Sequence, residues 1–182
     1  VETPISIIEN PYTITGLTAA TFYSIAVNQQ CTNGNGAWSN IVTAKTDATP
    51  AQLPYTCDFE DATENLNWTL VNGTQTNKWY IGAASLTDTV NMTTNGTNGL
   101  YISNNNGVNN LYTVASPESR VYAYRDIVVP EGTTELTLSF DWKAMGNQYN
   151  YDFLRVYLID PTVNITAGNN PPTVNGSNLD AT

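Results

Sequence analysis

The residues with the clearest chemical potential are three carboxylates that lie close together, Asp58, Glu60 and Asp61, within the stretch 53–80. Carboxylate, asparagine and backbone carbonyl oxygens are the ligands of hard cations, and Ca²⁺ suits such a set best. A solvated acidic turn is the alternative interpretation of the same residues. The sequence therefore predicts either a calcium site or a plain acidic turn at this position.

The chain contains no histidine. This excludes Ser/His/Asp and Cys/His catalysis as well as histidine-ligated zinc. A general-acid role for Asp141 would need a partner carboxylate across a cleft, and the sequence indicates none. We therefore expect a protein that is not an enzyme.

The charge of the chain is strongly acidic, with 16 acidic and 6 basic residues and a formal net charge of -10. The basic residues are too scattered to form a groove that neutralises phosphates, so we expect neither nucleic acid nor an anionic membrane as a partner. No apolar run reaches the roughly 18 residues of a membrane span, so no membrane insertion is expected. Abundant Asn, Thr, Gly and Ser are typical of secreted β-proteins, which favours an extracellular or cell-surface location. Residue 1 lies in the middle of a pattern, and we expect an internal part of a longer chain.

The two cysteines, Cys31 and Cys57, have a spacing that matches no zinc or redox motif. Three interpretations stay open. The thiols are unpaired, or they form a disulfide that joins the end of one domain to the start of the next, or they pair with cysteines outside this chain.

The first 46 residues show a β pattern, in which Tyr23, Ile25 and Val27 share one face of a predicted strand. The following turn contains two Asn-Gly steps, a strong hairpin signal, and a return strand ends at Thr46. This region resembles the last three strands of a fibronectin type III domain, an Ig-like sandwich. The resemblance rests on Gly16-Leu17, Thr21, Tyr23, Val27, Trp38-Ser39 and Thr46, with Leu17 and Tyr23 at the places of the family's tyrosine corner.

Residues 47–53 (DATPAQL) predict a linker, and residues 54–182 predict a second all-β domain. In the segment ELTLSFDWK, alternate apolar residues are expected to face a core, and DFLRVYLID shows the same alternation. Two such strands indicate an antiparallel sandwich. The predicted strands of this domain are 78–81, 99–104, 120–130, 133–144 and 152–160.

The second domain resembles the cleaved-adhesin family, MAM-like jelly-roll modules of Bacteroidetes surface proteins. The resemblance is carried by the order of five segments: LPYTCDFED with NWTL and NKWYIG, then GLYISNNNG, YAYRDIVVPEG, LTLSFDWKAMG and DFLRVYLID. It implies an antiparallel jelly-roll β-sandwich over 54–182, incomplete at its carboxyl end. It also implies a non-catalytic adhesion module that binds an extracellular protein or glycan, with self-association in a surface array as a further expectation.

The same resemblance implies a structural calcium ion, with Asp58 and Glu60 as ligands and Asp152 as a third. Separately, Tyr149 and Tyr151 lie among amide side chains in a polar loop, a composition used in carbohydrate binding. Ordinary loop packing is the alternative interpretation of these tyrosines.

The leading prediction is thus a calcium-stabilised adhesion or binding module. Two alternatives belong to other classes: an accessory domain of a secreted protease or glycosidase, and a structural spacer in a repetitive surface filament.

Overall fold

The regular elements of this protein are strands, apart from one short helix among the described residues, α1 (Ala62–Asn65). The all-β fold class predicted from the sequence is therefore confirmed. Within the described ranges, no helix has the length and apolar character needed to cross a bilayer. The chain divides into two compact units, residues 1–49 and residues 50–182. The computed structural model describes residues 5–87, 90–114, 118–143, 152, 154–170 and 178–179, with only the backbone for 86–87, 90–91 and 178–179.

The first unit contains two antiparallel strand pairs. Strand β1 (Phe22–Ile25) pairs with β4 (Val42–Lys45), and β2 (Gln30–Cys31) pairs with β3 (Gly34–Asn35). The β2–β3 connection is Thr32-Asn33, and Gly34, the first residue of β3, has a φ of 124° that favours glycine. The predicted return strand corresponds to β4, which pairs with β1.

A side-chain contact closes the loop before β1. The backbone N–H of Thr18 donates to the Tyr23 hydroxyl oxygen at 2.9 Å. The tyrosine predicted for a corner thus fastens the chain a few residues upstream of itself.

The second unit is built from short strand pairs. In the described part of this unit, the strands are β5 (Ala51–Gln52), β6 (Thr69–Val71), β7 (Lys78–Gly82), β8 (Ser85–Thr87), β9 (Val90–Asn91), β10 (Gly99–Ser103), β11 (Tyr122–Tyr124), β12 (Ile127–Val128), β13 (Val156–Tyr157) and β14 (Asn178–Leu179). The antiparallel pairs are β6–β11, β7–β10, β8–β9 and β13–β14, and β5–β12 is parallel. The predicted strand 78–81 appears as β7 and 99–104 as β10, while 120–130 is divided into β11 and β12.

The β7–β10 ladder carries two of the buried side chains of the second unit. Tyr101 lies opposite Tyr80 in the register and is 9% exposed, and Ser103 is 1% exposed. The Tyr101 hydroxyl donates to the carbonyl oxygen of Gly107 at 2.6 Å, so the buried phenol is satisfied. This bond fixes the loop that follows β10 against the ladder.

The expectation of an inward-facing strand over 133–144 is wrong for the part that the structure describes, residues 133–143. These residues form no strand, and the four apolar side chains are exposed: Leu136 by 40%, Leu138 by 61%, Phe140 by 44% and Trp142 by 47%. Alternation makes a strand only where a neighbouring strand supplies hydrogen bonds and a second layer covers the apolar face. In the described residues, neither is present for this segment.

The predicted linker 47–53 is not irregular throughout. Ala51 and Gln52 form β5, which lies parallel to β12, and the Ala51 N–H donates to the Asp126 carbonyl at 2.9 Å. Ala51 is buried. The boundary between the two units falls between Thr49 and Pro50, and the residues after it belong to the second unit.

Candidate functional site

The acidic loop, residues 58–61, ends a segment whose side chains alternate between half-buried and exposed. Tyr55, Cys57 and Phe59 are half-buried, whereas Asp58 and Glu60 are exposed. The Phe59 ring packs against Trp68 with ring centroids 5.2 Å apart. This anchoring presents both predicted calcium ligands on the solvent side of the segment.

Asp58 and Glu60 are also joined directly. The backbone N–H of Glu60 donates to Asp58 Oδ1 at 3.0 Å, across Phe59, whose φ of 64° turns the chain sharply. A phenylalanine at such a φ is uncommon and is sustained by its packing. The local fold therefore fixes the backbone between two exposed acidic residues.

The Glu60 carboxylate holds a distant turn, and we call this arrangement the Glu60 clamp. Oε1 accepts the backbone N–H groups of Thr97 at 2.6 Å and Asn98 at 2.7 Å, and Oε2 accepts the Asn98 side-chain amide at 2.9 Å. Charge-assisted bonds of this kind are stronger than neutral ones. A methyl group added at Gly96 would collide with Oε1, so the Glu60 carboxylate would have to shift and its bonds to the turn would be disturbed.

Asp152, the predicted third ligand, has a different neighbour: its Oδ2 accepts the Tyr112 hydroxyl at 3.2 Å. Among the residues that the structure describes, no group of three or more Asp, Glu, Cys or His side chains is placed to hold a metal ion. The calcium site stays a prediction for Asp58, Glu60 and Asp152. Tyr149 and Tyr151 lie outside the described residues, so the predicted carbohydrate contact also stays a prediction.

Both cysteines are free thiols in the structure, Cys31 exposed and Cys57 half-buried. They belong to different units. The disulfide between them stays a prediction, next to the alternative of two unpaired thiols.

Beneath the acidic loop lies a buried ion pair. The Arg125 side chain is 6% exposed, and its Nε and Nη2 donate to Glu64 Oε1 at 2.7 Å and Oε2 at 3.4 Å. This fork-to-fork geometry suits a guanidinium and a carboxylate, since both are planar and bidentate. The bond joins α1 to the residue that follows β11.

Two aromatic side chains complete what we call the Arg125 network: Tyr55, Glu64, Trp68 and Arg125. The Tyr55 hydroxyl donates to Glu64 Oε1 at 2.6 Å and accepts the Trp68 indole N–H at 3.2 Å. The Arg125 guanidinium lies 5.6 Å from the centre of the Tyr55 ring, a cation–π distance. Trp68 also packs on Phe59, so the network contacts the acidic loop through this pair of rings.

The sequence analysis missed this network, although one signal was present. Asp61 accepts the N–H groups of Thr63 at 2.7 Å and Glu64 at 3.3 Å, and so acts as the N-cap of α1. The D-A-T-E pattern of residues 61–64 is close to a capping box, which predicts a helix start. Asp61 is therefore a helix cap.

The side chains of two asparagines that the sequence did not single out bond both the backbone N–H and the backbone C=O of another residue, as a neighbouring strand would. Asn72 accepts the Trp79 N–H at 2.7 Å and donates to the Trp79 carbonyl at 2.9 Å. Asn77 does the same for Thr113, at 2.7 and 3.0 Å. An amide carries one donor and one acceptor side like a peptide group, but sequence alone does not show which asparagines will be used so.

The ionisation of the Arg125 network follows its hydrogen bonds. The bond from Arg125 lowers the pKa of the Glu64 carboxyl from its ordinary value of 4.5, against a smaller opposing effect of burial. Burial raises the pKa of the Tyr55 phenol, and its bond to Glu64 adds to the rise. Glu64 is thus ionised and Tyr55 neutral at physiological pH.

Because of Glu64, the second unit is expected to be more stable at a pH above the unfolded-state pKa of the Glu64 carboxyl than at a pH below that value. A depressed folded-state pKa contributes stability that is complete above 4.5 and is lost as pH falls through the folded value. Urea unfolding between about pH 7 and about pH 3 measures this dependence. Glu64→Gln should remove part of the slope, whereas Glu118→Gln, at an exposed ion pair with Arg120, should keep it. Equal slopes for both variants would contradict the assignment.

Similarity to known proteins adds no assignment to this site. No family model, no curated protein and no solved structure matches the chain.

Proposed function

We propose that this chain is part of a non-catalytic adhesion or binding protein of the cell surface or the extracellular space, stabilised by calcium. Its first unit would be the end of a fibronectin type III domain, and its second unit a jelly-roll sandwich. The observation that carries the proposal is the exposed pair Asp58 and Glu60, presented on a segment that Phe59 and the Arg125 network anchor from below.

The remaining acceptor capacity of the acidic loop suits a hard cation. Each carboxylate offers about four lone-pair positions. Glu60 uses three of them in its clamp and Asp58 uses one for the Glu60 N–H. Both side chains are exposed on the same side of one segment, so their remaining oxygen positions would be available to an ion of the size of Ca²⁺, with water filling other positions.

The bond from Thr18 to the Tyr23 hydroxyl supports the fibronectin type III proposal. In Ig-like sandwiches, a corner tyrosine bonds the backbone a few residues upstream and so fixes the crossing between strands. Here Leu17 and Tyr23 occupy the corresponding places.

The apolar surface of the first unit supports a binding role. Large side chains lie on solvent-facing positions and need a covering partner, whether further strands of the same domain or a bound protein. The most exposed of them are Ile8 at 98%, Ile41 at 70%, Phe22 at 67% and Trp38 at 64%.

Calcium in excess is expected to raise the melting temperature of the protein, and a chelator should reverse the rise. A native-state ion at 100 to 1,000 times its dissociation constant adds about 3–4 kcal/mol to the free energy of unfolding. Asp58→Asn and Glu60→Gln should abolish the difference between calcium and chelator. Thermal unfolding followed by circular dichroism measures it.

The matched control is Glu135→Gln, which removes one exposed carboxylate far from the acidic loop in the sequence and should keep the calcium response. Glu60→Gln also weakens the Glu60 clamp, so the readout is the calcium-dependent difference rather than the melting temperature itself. The same proteins, applied to immobilised glycans and extracellular matrix proteins, test adhesion. No calcium response and no retained ligand would together overturn the proposal.

A further inference from the structure

The chain is rich in a dipeptide that can modify itself. Asparagine followed by glycine occurs at seven positions, beginning at Asn33, Asn35, Asn72, Asn95, Asn98, Asn106 and Asn175. In such a step, the backbone nitrogen of the glycine can attack the asparagine side-chain amide, since glycine has no Cβ to obstruct the approach. Which of these steps reacts in the folded protein depends on how far each amide and nitrogen are already engaged.

At Asn95 the two reacting groups are held together. The Gly96 nitrogen lies 3.0 Å from Asn95 Oδ1, to which it donates. The amide carbon is bonded to that oxygen, so the nitrogen is kept beside the atom that it would attack. Asn95 and Gly96 are exposed, and Gly96 has a φ of 67°. We propose that Asn95 is a site of spontaneous deamidation and isoaspartate formation, and that this modification loosens the Glu60 clamp.

Other Asn-Gly steps are engaged in bonds that must open first. Both sides of the Asn72 amide are bonded to Trp79. The Gly107 nitrogen, which follows Asn106, donates to the buried Ser103 hydroxyl at 3.1 Å.

Three further steps are restrained in the same way. The Asn98 amide donates to Glu60, Gly34 is paired with Cys31 in a ladder, and the Gly36 nitrogen donates to the Gln29 carbonyl at 2.7 Å. The Asn175 step lies outside the described residues.

The chemical step needs water alone. The Gly96 nitrogen forms a bond to Asn95 Cγ and gives its proton to solvent, and the bond from Cγ to the amide nitrogen breaks to release ammonia. Water then adds to either carbonyl of the resulting succinimide and breaks one of its two bonds to the ring nitrogen. One opening leaves aspartate, and the other leaves isoaspartate, which places the side-chain methylene in the backbone.

The product stands next to the Glu60 clamp. The N–H of Gly96 is bonded to the Asn95 side chain, and the next N–H, of Thr97, is bonded to Glu60. A carboxylate at residue 95 therefore lies close to a second carboxylate, and like charges repel. Isoaspartate also lengthens the backbone of the turn by one carbon. Both changes weaken the attachment of the turn to the acidic loop.

The experiment follows deamidation at each Asn-Gly step by peptide mass spectrometry during incubation of the folded protein at neutral pH. Asn72 and Asn106 are internal controls with the same dipeptide. Asn95 should convert about tenfold faster or more, since its two reacting groups are already adjacent, whereas the Asn72 amide and the Gly107 nitrogen must first leave other partners. In urea, where all steps are unfolded, the three rates should become similar. Equal rates in the folded protein, or an undiminished difference in urea, would overturn the proposed site.

A second measurement tests the effect on the Glu60 clamp. Asn95→Asp supplies the charge of the product, and Asn95→Gln keeps an amide but disfavours the ring closure. Amide hydrogen exchange should show lost protection of Thr97 and Asn98 in Asn95→Asp and in aged protein, and retained protection in aged Asn95→Gln. Unchanged protection in Asn95→Asp and in aged protein would overturn the link to the clamp.

Discussion

Glu64→Gln is expected to lower the free energy of unfolding of the second unit by about 2–3 kcal/mol. The substitution leaves the Arg125 guanidinium, which is 6% exposed, without its counter-charge. Breaking one side of a fully buried ion pair costs about 3–5 kcal/mol. The Glu64 side chain is 26% exposed, so solvent screening reduces the expected loss. Chemical denaturation at neutral pH measures it.

The control for this prediction is Glu118→Gln. Glu118 pairs with Arg120, but their side chains are 69% and 37% exposed, and such pairs contribute about 0–1 kcal/mol. Arg125→Met combined with Glu64→Gln should recover part of the loss, since no unpaired charge then stays buried. Equal effects of Glu64→Gln and Glu118→Gln would show that the Arg125 network contributes no more than a surface pair.

Gly107→Ala is expected to be at least as damaging, with a loss of about 2–5 kcal/mol from backbone strain and overpacking together. Gly107 has a φ of 79°, and an added Cβ would lie 2.7 Å from Tyr80 Cδ1. The Tyr80 ring cannot retreat freely, because it lies opposite Tyr101 in the β7–β10 ladder. Thermal and urea unfolding of the variant measure the loss.

Gly132→Ala separates the two causes. Gly132 has a similar φ of 83°, but no atom lies within 4 Å of an added Cβ. Gly132→Ala should therefore lower the free energy of unfolding by the backbone strain alone, about 1–2 kcal/mol. If the free energy of unfolding falls equally in both variants, the contact with Tyr80 does not contribute to the loss, and the packing around Tyr101 is looser than described.

Sequence reasoning succeeded where the signal is local. The strands at Lys78–Gly82 and Gly99–Ser103 follow from β-branched and aromatic residues bounded by glycine and asparagine. The tight connection between β2 and β3 coincides with the first Asn-Gly step, at Asn33-Gly34. In these segments, the conformation is decided by side chains that lie next to one another in the chain.

Prediction from sequence failed where the conformation depends on a partner that is far away in the chain. Glu64 and Arg125 are separated by 61 residues, and Glu60 reaches Asn98 across 38. Spacing in the sequence does not indicate which charges will meet, so the sequence does not single out Glu64, and it predicts Glu60 as a metal ligand or part of a solvated turn rather than as the acceptor for a distant turn. The alternation over 133–143 failed for the related reason that a strand requires a neighbour. Residue types describe what each segment can do, and tertiary contacts select among the possibilities.

The parallel pairing of β5 with β12 determines how the second unit would respond to a mechanical load. A pull on the chain from the side of Thr49 acts on the amino end of β5, along the strand. If the opposing pull leaves from the carboxyl end of β12, the two strands are drawn past one another in shear. Their hydrogen bonds, including that from Ala51 to Asp126, then share the force instead of opening one after another. Under such a load, the second unit would thus resist first at the pairing of β5 with β12, close to its own amino end.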